Sequence, residues 1–293
     1  MRVGIIGAGA VGAASLLSLV MRGPPACEII VLDKNYARAK GVVADLQYGA
    51  TLSPAVELRT GDYPDLADAV LTIVTAGVNE RAGGATDRSD PAGRLKLLDA
   101  NAKVYRDIVP RIVAVAPQTV ILVVTDPPDS LADLARRLAG HERVLSSGTF
   151  LDTLRFRFHL ARRLKVSPAF VEAQGVPAMA ALDGHGENID EFRSEVENEV
   201  RYANIAIIEG TGASQLGIGM ATARIVEAIL RDEQAVMPVG AFNPNYGTTL
   251  SLPSVLGRAG VSRILEPDMS EDELQGLKRS AGRLRDALER IMV

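Results

Sequence analysis

At 293 residues the chain is long enough for two lobes with separate cores, since single hydrophobic cores stop growing near this size. A hydrophobic content of 47% and a charged content of 23% are ordinary for a globular protein. A formal charge of −4 and a pI near 5.5 exclude the basic face that a nucleic-acid or membrane-surface role requires, so an anionic partner must be caught by a few placed cations.

Cys27 is the single cysteine, which rules out an intrachain disulfide and a cysteine-based zinc site and favours a reducing compartment. The apolar stretch Val3–Ile6 is too short for a signal peptide and runs straight into a glycine turn. No run approaches transmembrane length. A cytoplasmic protein with no metal is expected.

The first half alternates strand-like and helix-like runs. Arg2–Ile6 is a β-branched strand, Ala10–Met21 has helical periodicity, and Gly23-Pro24-Pro25 ends it. Glu28–Leu32 is a second strand, followed by a helix through Gln47. Val56–Arg59, Ala69–Thr75, Val120–Thr125 and Arg143–Ser146 are further buried strands. Between the fourth and fifth lies Gly77–Gly93, rich in Gly, Asp and Arg, a length of loop that is usually functional. The helix Arg94–Ala116 follows it. This alternation predicts parallel βαβ units covered on both faces.

The second half changes character. Helices are expected over Thr149–Lys165, Glu187–Glu209 and Ala213–Arg231, then antiparallel strands Gln234–Ala241 and Thr248–Leu252 around an Asn-Pro-Asn turn. Ser270–Ile291 closes the chain as an amphipathic helix, with Ser270 as its cap. The predicted fold class is α/β: an N-terminal doubly wound parallel sheet over 1–148 and a smaller α+β substrate and oligomerisation domain over 149–293.

Gly7-Ala8-Gly9-Ala10-Val11-Gly12 follows a strand and opens a helix, the context a dinucleotide fingerprint needs. Gly7 permits the tight turn, Gly9 lets the backbone approach a pyrophosphate, and Gly12 lets helix and strand pack closely. The helix start around Ala10 and Val11 supplies N–H donors to the phosphates. Asp33, at the end of the second strand, can bind the adenine ribose hydroxyls and would repel a 2′-phosphate. NAD is therefore expected over NADP, with Arg38 the nearby cation that could temper that preference. The N-terminal part thus takes the Rossmann form.

Several strings resemble the lactate and malate dehydrogenase family: Gly7–Gly12, Thr75-Ala76-Gly77-Val78-Asn79, Arg94 with Asn101 seven residues on, Thr125-Asp126-Pro127, and Gly148-Thr149-Phe150-Leu151-Asp152-Thr153-Leu154-Arg155. The likeness spans nearly the whole chain and is closer to the lactate branch. It implies cofactor contacts at Thr75, Ala76, Gly77 and Thr125, and a small 2-oxo or 2-hydroxy acid as substrate. It also implies a homodimer or homotetramer, in keeping with the apolar stretch Arg201–Ile208 in the expected long helix.

Asp152 and Arg155 are three apart on a helix and share a face. A guanidinium there can clamp a substrate carboxylate through two parallel hydrogen bonds and fix it for hydride transfer, while Asp152 orients an imidazole. An exposed helix ion pair is the plainer reading of the same two residues. By resemblance Arg94 polarises the substrate carbonyl, Ser214 lines the substrate pocket, and the position separating lactate from malate chemistry falls near Glu80 or Arg81. Asp126 departs from the family, which usually places Asn before this proline. An amide can donate to the substrate oxygen and an ionised carboxylate cannot.

Such a reaction also needs a proton carrier. His141 in Gly140-His141-Glu142 reads as a turn residue, and His159 stands about 10 Å beyond Asp152 along its helix, too far to be oriented by it. His185 in Gly184-His185-Gly186 looks like the family's His-Gly string, but its context differs. After Val171-Glu172-Ala173-Gln174 the family runs through a strand, the His-Gly turn and a second strand before a Gly-Val-Pro string. Here Gly175-Val176-Pro177 follows Gln174 at once. His185 is read as a loop residue, and a piece the size of two short strands and a turn is expected to be missing. Two explanations stand: the natural chain carries a segment that this sequence lacks, or the protein binds the dinucleotide without turnover. The retained carboxylate clamp favours the first.

Overall fold

The computed structural model describes residues 1–22, 27–52, 56–78, 95–170 and 189–292. The chain begins with β1 (Arg2–Ile6), α1 (Ala10–Arg22), β2 (Cys27–Leu32), α2 (Tyr36–Ala50), β3 (Val56–Thr60), a 3-10 turn (Tyr63–Leu66) and β4 (Leu71–Val74). It continues through α3 (Leu95–Val115), β5 (Val120–Val123), α4 (Pro128–Ala139), β6 (Val144–Ser146), α5 (Phe150–Leu164), α6 (Ile189–Thr211) and α7 (Leu216–Leu230). It ends with β7 (Ala235–Asn243), β8 (Thr248–Gly257), β9 (Gly260–Ile264) and α8 (Glu271–Met292).

The strands form one sheet in the order β3-β2-β1-β4-β5-β6-β7-β8-β9. The first six are parallel. β7 joins antiparallel to β6 at Ser146 and Gly240, and β8 and β9 continue antiparallel. Strand order reverses between β1 and β4, and the crevice at the carboxyl ends of such strands is where open α/β sheets take ligands.

Strands β1, β2, β4 and β5 are almost wholly buried because helices cover both faces, which explains their unbroken Val, Ile and Leu runs. One face carries Val3, Ile5, Ile29, Ile73 and Leu122 against α1, α2 and α7, with Leu16, Val43 and Ile225 in that core. The other carries Ile6, Ile30, Val74 and Ile121 against α3, α4 and α8, with Tyr105, Leu131 and Leu288. Helices from the C-terminal half therefore close both faces of the N-terminal sheet.

Three departures from the sequence reading have local causes. The fourth strand is shorter than Ala69–Thr75, because Asp68 takes a left-handed φ of 62° and the Ala69 amide bonds back to the Leu66 carbonyl at 2.9 Å. Helix α4, not assigned from sequence, starts at Pro128, where a missing N–H is harmless, and buries Leu131, Leu134 and Ala135. Strand β9, also unassigned, is mostly half-exposed and lacks the alternation that marks a buried face. At the last helix Ser270 and Glu273 form a reciprocal cap, with the Ser270 amide donating to Glu273 at 2.8 Å.

Candidate active site

The glycine turn leaves β1 at the carboxyl edge of the sheet. Gly7 has a φ of 107°, in the left-handed region, and its amide donates to the Leu32 carbonyl at 2.8 Å. A Cβ on Gly12 would stand 1.9 Å from the Gly7 carbonyl oxygen, so α1 can start this close to the turn only with glycine there. A Cβ on Gly9 would meet nothing within 4 Å, leaving its backbone open to a ligand. The N–H groups of Ala10, Val11 and Gly12 lie in the first turn of α1, where backbone donors lack helical partners and attract an anion.

Asp33 follows β2. One carboxylate oxygen accepts from the Ala8 amide at 2.7 Å and the other from the Asn35 amide at 2.8 Å. It thus ties the glycine turn to the start of α2 while standing at the rim where ribose hydroxyls would arrive. Arg38 lies exposed in the first turn of α2, its amide held by the Asn35 cap at 3.1 Å.

The loops after β4 and β5 are stitched together beside this turn. Thr75 Oγ1 donates to the Gly7 carbonyl at 2.8 Å, and Thr125 Oγ1 donates to the Ala76 carbonyl at 2.9 Å. Asn101 on α3 is fully buried. Its Oδ1 accepts from the Val78 amide at 2.7 Å, and its Nδ2 donates to the Asp126 carbonyl at 2.8 Å. Gly77 packs so tightly between Thr125 and Asn101 that a Cβ would stand 2.4 Å from Thr125 Cγ2. Asn101 was legible in sequence only as part of a family string; its position as the bolt between two loops needed the fold. Asp126 itself is partly buried and precedes a cis peptide to Pro127.

Strand β6 is parallel to β5, so α5 leaves from the same edge of the sheet. Asp152 sits in its first turn, where the helix dipole favours a carboxylate, and Asp152 Oδ1 accepts from Arg155 at 2.8 Å. Arg155 is only 14% exposed against 42% for Asp152, so this is a guanidinium turned inward and held at one end, unlike a solvated surface pair. The start of α7 lies against the start of α5: a Cβ on Gly217 would stand 3.3 Å from Leu151 Cδ1. Ser214, buried in the turn before α7, is brought to that end of α5.

The histidines divide. His141 lies just before β6, at the opposite edge of the sheet. Its Nδ1 accepts from the Arg143 amide at 3.2 Å, and burial pushes its pKa down. His159, two turns beyond Asp152 on α5, turns Nδ1 to Glu199 on α6 at 2.6 Å. Arg81 and Arg94, read from sequence as site residues, and His185, read as a loop residue, lie outside the described residues. Among the described residues no cluster of His, Cys, Asp and Glu could hold a metal ion, and no helix is long and apolar enough to cross a membrane.

The comparisons with known proteins cover both halves. Residues 1–145 match the lactate/malate dehydrogenase NAD binding domain, and residues 170–292 match the alpha/beta C-terminal domain of the same proteins. The chain is 38% identical to an L-lactate dehydrogenase of Chloroherpeton thalassium, covering 99% of this chain and all of that protein. It is also 38% identical to one of Thermus aquaticus, covering 98% of each. A crystal structure of a minor L-lactate dehydrogenase from Enterococcus mundtii superposes with a TM-score of 0.88 at 29% identity, covering 99% of this chain. The Chloroherpeton alignment runs over 313 positions against the 293 residues here, so at least 20 of its positions face a gap in this chain. Matched along nearly its full length, the chain belongs to the lactate/malate dehydrogenase family.

Proposed function

We propose that this protein is an NAD-dependent 2-hydroxy-acid dehydrogenase that interconverts pyruvate and L-lactate. The observation that carries the reading is the inward-turned Arg155, held by Asp152 at the same sheet edge as the glycine turn. Bound NAD would accept or return the hydride. Gly7, Gly9, Ala10, Val11 and Gly12 would receive its pyrophosphate and Asp33 its adenine ribose, with Arg38 beside it. Thr75, Ala76, Gly77 and Thr125 would line the nicotinamide side.

Arg155 would clamp the substrate carboxylate, Asp152 would fix the guanidinium, and Arg94 would close over the carbonyl. Asp126 and Ser214 would complete the pocket, with Arg81 at the position that sets the substrate. On this reading residues 1–148 hold the cofactor, 149–293 supply the substrate groups, and the protein works in the cytoplasm as a homodimer or homotetramer. Tyr202 and Ile207, exposed on α6, support contact between copies through that helix.

NADH oxidation with pyruvate, set beside oxaloacetate, tests this. Arg155→Lys keeps the charge but loses the planar fork, and kcat/KM should fall by about 10²-fold or more. His185→Ala should leave turnover intact. A preference for oxaloacetate would move the enzyme to the malate side. A second reading, dinucleotide binding without turnover, is supported by the alignment gap and by Gly175 following Gln174 directly. NADH titration that saturates, with no oxidation by either acid, would establish it.

A further inference from the structure

Asp152 and Arg155 stand on α5, and where they stand depends on how the chain enters that helix. The cap residue Thr149 makes no side-chain bond to the helix start, so the entry is fixed from outside the helix. Gly148, just before the cap, is where other elements take hold. Its amide donates to Ser146 Oγ at 3.0 Å, and its φ of 55° lies in the left-handed region. A Cβ on Gly148 would stand 2.6 Å from the Gly240 nitrogen on β7 and 2.6 Å from Ser251 Oγ on β8, so the chain turns here with no spare room.

Ser146 is buried, and its oxygen already accepts from the Gly148 amide. Its one hydroxyl proton goes to Asp129 Oδ1, in the first turn of α4. Ser251 donates to the other carboxylate oxygen at 3.0 Å. Gly240 closes the cluster, because a Cβ there would collide with both Ser146 Oγ and Asp129 Oδ1. We propose that Asp129 is a positioning residue for the substrate helix: through Ser146 it seats Gly148, and so sets where α5 presents Arg155. The inference deepens the dehydrogenase reading above and rests on it.

Helix α4 starts directly behind the loop after β5, where Thr125 is bound to Ala76 and the Asp126 carbonyl to Asn101. One carboxyl thus ties the loop proposed to line the nicotinamide to the helix proposed to hold the substrate carboxylate. Arg155 lies seven residues past Gly148, and a helix passes a shift at its entry on to its second turn. Hydride transfer tolerates little of this, since a misplacement of about 1 Å costs about 10²-fold in rate.

The test is a double-mutant cycle on the full chain. NADH oxidation by pyruvate, or by oxaloacetate if that acid is preferred, is followed below the Tm of every variant. Ser146→Ala should lower kcat/KM by about 10-fold or more while the NADH titration is unchanged. The same substitution made on Arg155→Lys should cost little more, because the group being placed is already gone. Asp129→Asn, whose amide oxygen still accepts from Ser146 while its NH2 donates to Ser251, should keep more turnover than Asp129→Ala. Should Ser146→Ala not fold, the two Asp129 variants carry the same test. Losses that multiply in full between Ser146→Ala and Arg155→Lys overturn the inference and leave the dehydrogenase reading standing. So does a Ser146→Ala protein with a lower Tm but wild-type kcat/KM, or an Asp129→Asn protein no better than Asp129→Ala. A wild type that binds NADH and oxidises it with neither acid removes both the reading and the inference.

Discussion

Among single residues, the three glycines of the first turn do different work, and two of them can be separated by experiment. Gly12 has no room for a side chain, because its Cβ would lie 1.9 Å from the Gly7 carbonyl oxygen. Gly9 faces open space and has no left-handed φ. Gly12→Ala is therefore expected to cost about 1–3 kcal/mol of stability, as overpacking does, visible as a lower Tm without any ligand. Gly9→Ala should leave the Tm unchanged and weaken NADH in a fluorescence titration, since the new methyl would occupy the space a pyrophosphate needs. Equal loss of stability in both would show that the turn is a packing device with no pyrophosphate to admit. Asp33 shows the same economy: its two oxygens accept from the Ala8 and Asn35 amides, so its removal would disturb the turn as well as the ribose site proposed for it.

Between elements, the junction of β6, β8 and α4 is drawn together by a carboxyl. Asp129, in the first turn of α4, accepts from Ser146 on β6 and from Ser251 on β8, the latter at 3.0 Å. Burial pushes its pKa above the ordinary value of 3.8, and the two hydroxyls offset only part of that. The folded protein therefore holds this proton more tightly than the unfolded chain. The stability tied to Asp129 is fully present below 3.8 and is lost as pH rises through the raised folded value. Asp129→Asn removes that dependence. Denaturation midpoints of the two proteins should show the wild type gaining on Asp129→Asn as pH is lowered from about 7 to about 4. A constant difference across that range would mean that Asp129 is ionised in both states. Glu28 and Asp65 act in the opposite sense, their pKa values lowered chiefly by bonds to Arg59 and to the Asp62 amide respectively, and they are common to both proteins.

Across the whole molecule, the dinucleotide site proposed above would be assembled from segments far apart in sequence: the β1 turn, the β2 end and the loops after β4 and β5. A ligand that binds only this assembled form stabilises it by mass action. NADH at 100 times its Kd should add about 2.7 kcal/mol, a rise in Tm of roughly 4 °C for a chain this long. NADPH at the same concentration should add less if Asp33 takes the ribose as proposed, because its carboxylate would repel a 2′-phosphate. Equal shifts with the two cofactors would transfer the ribose role from Asp33 to Arg38.

Where one short segment contains its own physical cause, the sequence sufficed. The Gly7–Gly12 turn needs only its glycines and flanking strand and helix, and the buried parallel strands announce themselves as unbroken apolar runs. The Asp152–Arg155 pair follows from helical spacing alone, and Ser270 as the last helix cap follows from its neighbour at 273. Features set by distant partners were decided only in three dimensions. Helix α4, which starts at Pro128 directly after Pro127, was not assigned from sequence, and β9 was hidden behind a half-exposed face that carries no period. No local pattern shows that Asn101 bolts Val78 to Asp126, or that Ser146 meets Gly240 to join the parallel and antiparallel strands in one sheet. Nor could sequence assign His159 to Glu199, forty residues away on another helix. Hydrogen bonds between remote segments depend on packing that the whole chain determines, and a window of a dozen residues holds no record of it.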